Sequence, residues 1–212
     1  MNFDAYLDSC YRHLSSEQKQ NDGSFLPYYG KASESDLKAA KKEIYDVLKE
    51  AYDSKIITKQ DFDAMNPDEK GPAKFYELFR VHKEHQVGKP PPERPIISAS
   101  GSITENIGHY VQSHLKHYSN LIPSYLQDSP DFLRSIEREI NDANLIEDGD
   151  IIATIDVSSL YTNINQQERI NACRWIPEKY SSDKDKNEFI IKLLSLILKH
   201  SIFNLMGIYS DN

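Results

Sequence analysis

The residues most able to take part in metal binding or catalysis follow a short apolar run in the second half of the chain. Ile151–Ile155 is rich in β-branched side chains and is followed directly by Asp156. This pattern predicts a strand buried on both faces. A carboxylate at the end of such a strand loses hydration. The loss costs free energy unless a divalent cation or a hydrogen-bonded turn compensates it. Asp156 is therefore either a metal ligand or the cap of the following turn, and the pattern alone favours the turn.

A second unusual segment, residues 70–95, is both basic and rich in proline. It contains five of the ten prolines in the chain, and six Lys or Arg against three Glu give it a net charge of +3. Phe75–His82 is predicted to be extended, and Arg94–Ser98 is predicted to be a second short extended piece. The segment is therefore interpreted as a basic pair of strands joined by a stiff turn.

The composition limits the classes of function. The chain has 212 residues, of which 39% are hydrophobic and 27% charged, as expected for one ordinary globular domain or two small ones. Its 25 Lys and Arg residues against 33 Asp and Glu residues give a net charge of −8. This balance argues against a protein that coats nucleic acid by bulk charge, and it leaves a local basic groove possible.

Cysteine use and hydropathy bear on the compartment. Cys10 and Cys173 are far apart and form no CxxC motif, which favours a reducing, intracellular compartment without separating nucleus from cytoplasm. The first thirty residues contain no apolar segment typical of a signal peptide. The longest apolar stretch, Phe189–Leu198, is far shorter than the about 20 residues needed to span a bilayer, so no membrane partner is expected.

Helical periodicity predicts the elements that would position these segments. A helix over residues 34–54 is preceded by a Ser33/Asp36 capping box, and a shorter helix ending near Met65 is preceded by a Thr58/Asp61 box. Further helices are predicted after Thr104, from Ser129 as N-cap with Pro130 at the first helical position, from Asn165 toward Trp175, and over Phe189–Leu198. Phe203–Tyr209, around Gly207, is predicted to form a small hairpin.

The segment Asp156–Ile164, with the sequence DVSSLYTNI, closely resembles the first palm motif of reverse transcriptases of the Penelope-like retroelement family. Upstream, Phe75–Lys83 and Arg94–Ser98 resemble that family's fingers motifs. Other similar segments follow in the family's order, and the resemblance covers about residues 35–209: Ala64–Pro67, Gly101–Ser102 with Thr104–Ile107, and Ile122–Tyr125 with Asp131–Leu133.

The resemblance implies roles for five residues. Asp156 would be the first metal-binding aspartate of a two-Mg²⁺ site, and Val157 would offer its backbone carbonyl to one ion. Tyr161 matches the aromatic residue under the nucleotide sugar that excludes a 2′-hydroxyl, although ordinary core packing is its alternative role. Arg94 matches the fingers arginine that grips the triphosphate, and Lys83 would be a template or phosphate contact.

The implied fold is α+β, a partial right-hand polymerase. Residues 1–70 would form a helical amino-terminal region, residues 71–149 a fingers-like region, and residues 150–212 the start of a palm, truncated before the second palm motif. The implied reaction is RNA-directed DNA synthesis by two-metal nucleotidyl transfer. Its cofactor would be Mg²⁺, and its partners would be an RNA template, a DNA primer and deoxynucleoside triphosphates.

The sequence also departs from the family pattern. Leu78-Phe79-Arg80 stands where the family usually has Leu-Pro-Lys, and Glu93 places an acid beside Arg94. The further carboxylates of a Tyr-x-Asp-Asp hairpin are expected beyond this segment, because Tyr209-Ser210-Asp211-Asn212 comes too early in the family's order. Enzymatic activity of this chain alone is therefore uncertain, and polymerisation by it is not expected. The alternative is a non-catalytic retroelement remnant that acts as a nucleic-acid-binding or interaction domain.

Overall fold

A computed structural model describes residues 3–19, 24–83, 91–143, 151, 153–157, 164–205 and 208–209. The described residues form seven helices and two small sheets, so the predicted α+β class is confirmed. The chain divides into two compact units. Unit 1 comprises Met1–Tyr110 and Lys192–Asn212, and unit 2 comprises Val111–Ile191.

Of the first three helices of unit 1, the second and third begin where the capping patterns predict them, whereas the first was not predicted from the sequence. The first three are α1 (Phe3–Leu14), α2 (Glu34–Asp53) and α3 (Lys59–Met65). At the start of α2 the Ser33 N–H donates to the Asp36 carboxylate at 2.8 Å, and the Asp36 N–H donates to the Ser33 hydroxyl at 3.3 Å. This reciprocal box satisfies backbone donors that have no partner within the helix. The predicted box is confirmed.

The same arrangement begins α3. The Thr58 N–H donates to the Asp61 carboxylate at 3.0 Å, and the Asp61 N–H donates to the Thr58 hydroxyl at 3.1 Å. The helix ends at Met65, and Pro67 follows the C-cap residue Asn66, as predicted. A proline at this point lacks the N–H needed to continue the helix.

The larger sheet contains four strands in the order β4-β3-β5-β6. They are β3 (Ala73–Phe79), β4 (Glu93–Ser98), β5 (Phe203–Leu205) and β6 (Ile208–Tyr209). β3 pairs antiparallel with β4 and parallel with β5, and β5 pairs antiparallel with β6. Both predicted strand pairs are confirmed, but β3 ends three residues before His82 because a turn begins at Arg80, whose carbonyl accepts from the Lys83 N–H at 3.0 Å.

Helix α1 covers the inner face of β3, which the sequence analysis did not predict. Cys10, Phe75 and Leu205 form a buried cluster, 0–1% exposed, that brings residues from three distant parts of the chain together. Tyr6, Leu7, Leu14 and Phe203 pack against it. A small second sheet follows α1, in which β1 (Glu17–Lys19) pairs antiparallel with β2 (Phe25–Pro27).

Unit 2 is built from helices. They are the second part of α4 (Glu105–Ser119), α5 (Ser129–Ala143), α6 (Gln166–Tyr180) and the first part of α7 (Lys184–Lys199). The Asn165 side chain caps α6 by accepting from the Gln167 N–H at 2.8 Å, as predicted.

The start of α5 requires a correction. The Asp131 N–H donates to the Asp128 carboxylate at 2.8 Å, so Asp128 rather than Ser129 acts as the N-cap. Asp128 and Ser129 are both residue types that cap helices well. The carboxylate of Asp128 also interacts favourably with the positive end of the helix dipole, which favours Asp128 as the cap.

The prediction of a strand buried on both faces at Ile151–Ile155 is wrong. Ile151 is 89% exposed and Ile155 is 93% exposed, and residues 153–157 are not in a strand. A strand is stable only when a neighbouring strand satisfies its backbone groups. Among the strands that the structure describes, none pairs with this segment.

Candidate nucleic-acid interface

The two faces of β3 differ sharply in exposure. Along β3, Phe75 and Glu77 are buried, whereas Lys74, Tyr76 and Leu78 are exposed. Residues directly opposite each other in an antiparallel pair project from the same face. The register therefore defines an outer face that carries two cations, one aromatic ring and aliphatic side chains: Lys74 opposite Ser98, Tyr76 opposite Ile96, and Leu78 opposite Arg94.

Two of the predicted nucleotide-binding residues lie at the same end of this ribbon. Arg94 is exposed on β4, opposite Leu78. At that end the Arg80 N–H donates to the Pro92 carbonyl at 2.9 Å, and the turn after Arg80 carries the exposed Lys83. The end of the ribbon that leads into the inter-strand connection therefore combines the guanidinium groups of Arg80 and Arg94 with the ammonium group of Lys83.

Glu93, the acid that the sequence places beside Arg94, points to the other face. It lies opposite Phe79 in the register, on the same face as Glu77. Its carboxylate accepts from the Ser9 hydroxyl at 3.0 Å and lies 3.7 Å from the Arg12 guanidinium. Glu93 is thus engaged by α1, and its charge does not occupy the face that Arg94 presents.

The opposite end of the ribbon is held by a charged turn. The Glu105 carboxylate accepts from the Lys70 ammonium group at 2.9 Å and from the Gly101 N–H at 3.1 Å. The hydrogen bond from Lys70, followed by that from Gly101, lowers the pKa of Glu105 below its usual range. Gly101 has φ of 77°, in the left-handed region that glycine adopts without steric cost. These contacts connect the end of β4 to the start of α4.

The predicted metal ligands lie in unit 2. Asp156 and Val157 are both exposed and lie in irregular backbone, whereas Arg94 and Lys83 belong to unit 1. Tyr161 lies outside the described residues. Within the described part of the chain, no group of three or more His, Cys, Asp or Glu side chains could hold a metal ion. One exposed carboxylate with one backbone carbonyl does not fit a two-Mg²⁺ site, which needs several carboxylate ligands.

The sequence analysis missed a buried polar cluster between α1 and β3. Glu77 is 4% exposed, and neither of its carboxylate oxygens has a hydrogen-bond partner among the described residues. His13 Nδ1 lies 3.7 Å from Glu77 Oε1, and the Tyr6 hydroxyl accepts from the Glu77 N–H at 3.0 Å. The spacing of Tyr6, Cys10 and His13, at steps of four and three residues, was the signal that could have revealed one helical face.

The cluster combines a thiol, an imidazole and a carboxylate, yet it does not form an activated nucleophile. Cys10 is fully buried. Burial raises the pKa of its thiol, the contact with Tyr6 partly opposes this, and the negative charge of Glu77 raises it further. A nucleophilic cysteine requires a lowered pKa and access to substrate. Cys10 is therefore a core residue.

Comparison with known proteins returns no match to a family model, a curated protein or a solved structure. The resemblance to Penelope-like reverse transcriptases therefore stays a prediction from the motifs quoted above. Of the helices that the structure describes, none has both the length and the apolar character required to cross a membrane.

Proposed function

We propose that this chain is part of an RNA-directed DNA polymerase of a retroelement and that the outer face of the β3–β4 ribbon contacts nucleic acid. The observation that carries the proposal is the exposure pattern of the ribbon, which presents Lys74, Tyr76 and Arg94 on one open face while Phe75 anchors the other face in the core. A rigid ribbon of this kind can present cations at fixed spacing to a phosphate backbone.

The charge distribution supports this interface. Residues 70–95 carry a net charge of +3 in a chain whose net charge is −8. Attraction of polyanions is therefore concentrated in this segment. Tyr76, which is 36% exposed, adds a ring on which an unpaired base can stack.

The proposal does not extend to catalysis by these 212 residues alone. Asp156 is the one carboxylate that the motif resemblance assigns to the metal site, and two-metal transfer needs further carboxylates. We expect no Mg²⁺-dependent primer extension by the isolated chain, and robust incorporation of deoxynucleotides would overturn this part of the proposal.

Binding of a fluorescent RNA–DNA template–primer hybrid tests the interface. Affinity measured between about 50 and 200 mM salt should fall steeply, because each phosphate contact releases condensed counterions. Undetectable binding at the lowest salt concentration would overturn the fingers assignment. Binding whose affinity does not depend on salt would also overturn it, since phosphate contacts would then be absent.

The exposure of residues 153–157 favours the second candidate, a retroelement remnant that binds nucleic acid without catalysis. Adding a deoxynucleoside triphosphate that is complementary to the template distinguishes the polymerase fragment from the non-catalytic remnant. If the fingers region binds the incoming nucleotide, the matched nucleotide should raise the affinity for the hybrid more than a mismatched one does. Equal effects of the two nucleotides would favour the remnant.

A further inference from the structure

We propose that Trp175, Lys179 and Tyr180, near the end of α6, bind single-stranded nucleic acid by stacking on its bases and contacting its phosphate groups. The Lys179 ammonium group lies 5.0 Å from the centre of the Trp175 ring and 5.1 Å from that of the Tyr180 ring. Trp175 is 58% exposed and Tyr180 is 46% exposed. The site belongs to unit 2, so it goes beyond the contact proposed for the β3–β4 ribbon of unit 1.

The backbone that carries these side chains is anchored by Pro177. This residue is buried within α6. Its carbonyl accepts from the Ser181 N–H at 2.8 Å and from the Asn187 side chain at 3.4 Å. These contacts hold the last turn of α6 against the start of α7. The three exposed side chains therefore project from an ordered backbone, which lowers the entropy lost when a ligand binds.

The positive charge of Lys179 is available to a ligand. Among the described residues, no carboxylate lies within 4.0 Å of its ammonium group. Two nearby acids are engaged elsewhere: Glu188 pairs with Arg174, and the Asp183 carboxylate accepts from a backbone N–H in the first turn of α7 at 3.0 Å. Glu178 is the neighbour of Lys179 in the chain, and successive residues of a helix project about 100° apart around its axis.

A second lysine of the chain shows the same ring contacts in a closed arrangement. Lys59 lies 5.7 Å from the centre of the Tyr52 ring and 4.9 Å from that of Phe62. Its ammonium group, however, lies 2.7 Å from the Asp63 carboxylate, and Phe62 is buried at 8% exposure. The charge and one ring are thus already used there, whereas the charge and both rings beside Lys179 are open to a ligand.

This combination of groups fits unpaired nucleotides. A nucleotide carries a flat ring and a negative phosphate side by side. Aromatic side chains stack on the faces of unpaired bases of any sequence, while a cation contacts the backbone. In a duplex the bases stack on one another and present only their edges in the grooves, so their faces do not reach such a site. A chain of carboxylates would use the cation but would leave both rings without a partner.

Fluorescence of Trp175 tests the proposal directly, because it is the only tryptophan in the sequence. Adding an oligothymidylate of about 12 nucleotides to the full chain should quench its emission to saturation, and the affinity should fall as salt rises. Inorganic polyphosphate of matched charge should not quench, since it has no rings. Absence of quenching by the oligonucleotide at the lowest salt concentration, or equal quenching by polyphosphate, would overturn the proposal.

Three substitutions test the assigned residues. Tyr180→Ala should weaken the affinity measured by quenching at least about fivefold, because a stacking ring is lost. Lys179→Gln should weaken it and reduce the slope of log affinity against log salt by about 1. Lys59→Gln is the matched control and should leave both quantities unchanged. Wild-type affinity in both Tyr180→Ala and Lys179→Gln would overturn the site.

Arg94→Gln separates this site from the ribbon. It should leave the quenching of Trp175 at saturation in place, because Arg94 belongs to unit 1. Quenching that is lost in Arg94→Gln but kept in Lys179→Gln would overturn the site in unit 2 while supporting the ribbon. Quenching that persists when Arg94→Gln has no effect on binding of the template–primer hybrid would support the site in unit 2 without the ribbon.

Discussion

Glu93 and Arg94 are neighbours in the chain, but their side chains lie on opposite faces of the β3–β4 ribbon. Glu93 is held by Ser9 and Arg12 of α1, whereas Arg94 is exposed opposite Leu78. Successive side chains of a strand project from opposite faces, so these two charges do not pair with each other. The acid beside the proposed phosphate contact therefore strengthens the attachment of α1 and leaves the outer face basic.

Arg94→Gln should weaken binding of the template–primer hybrid and reduce the slope of log affinity against log salt by about 1, because one phosphate contact is lost. The measurement is fluorescence anisotropy across a salt series. Lys38→Gln is the matched control, since Lys38 is 74% exposed on α2 and pairs with Glu34. Equal slopes for wild type and Arg94→Gln would show that Arg94 does not contact a phosphate group.

Phe75→Ala and Tyr76→Ala should separate stability from binding. Phe75 is 1% exposed in the core cluster, so its loss should lower the free energy of unfolding by about 3–5 kcal/mol. Tyr76 projects from the outer face, so Tyr76→Ala should change stability by less than about 0.5 kcal/mol and should weaken hybrid binding if its ring stacks on a base. Urea denaturation and anisotropy measure the two effects, and a large loss of stability in Tyr76→Ala would contradict the assignment of faces.

Glu43→Gln should reduce stability at pH 7 but not near pH 3. The Glu43 carboxylate accepts from Lys199 at 2.7 Å and lies 2.8 Å from His200 Nε2. The hydrogen bond from Lys199, with a further contribution from His200, lowers the pKa of Glu43 although burial opposes it. A lowered carboxylate pKa stabilises the folded state above the pKa of the unfolded chain, and this contribution disappears as the pH falls through the folded value.

The expected loss at pH 7 is about 0.5–1 kcal/mol, because the side chain is 41% exposed and solvent screens the pair. Urea denaturation at pH 7, 5 and 3 measures it. Glu50→Gln provides the comparison, since Glu50 joins the same two helices through Lys192 at 2.7 Å but is 67% exposed, and it should cost less. A loss for Glu43→Gln that persists unchanged at pH 3 would contradict the role of its charge.

Ser33→Ala should destabilise the chain by about 1 kcal/mol, because the first turn of α2 loses the hydroxyl that accepts from the Asp36 N–H. Ser33→Thr keeps an acceptor oxygen at the same position and should retain most of the stability. Thermal or urea denaturation of both variants checks this. Similar losses in the two variants would show that shape at position 33, rather than the capping oxygen, matters.

Local patterns in the sequence determined much of the secondary structure. The two capping boxes involve residues three apart, and the 3.6-residue period of α2 involves neighbours on one helix, so their energetics are contained within a few residues. The bulky side chains of Phe75–His82 likewise predicted an extended segment, but they did not indicate which of its faces would be buried. These features depend on short-range contacts that the sequence specifies directly.

Tertiary structure alone decided which segments meet. β5 pairs with β3 across about 130 residues of chain, as the register of Ala73 with Phe203 shows, and no local signal specifies that pairing. The apolar run at Ile151–Ile155 has the composition of a buried strand but is exposed, because a strand requires a partner elsewhere in the chain. In the sequence, Glu77 is indistinguishable from an ordinary surface glutamate. Its side chain is 1% exposed because α1 packs against it. Desolvation depends on what packs against a side chain and not on its neighbours in the sequence.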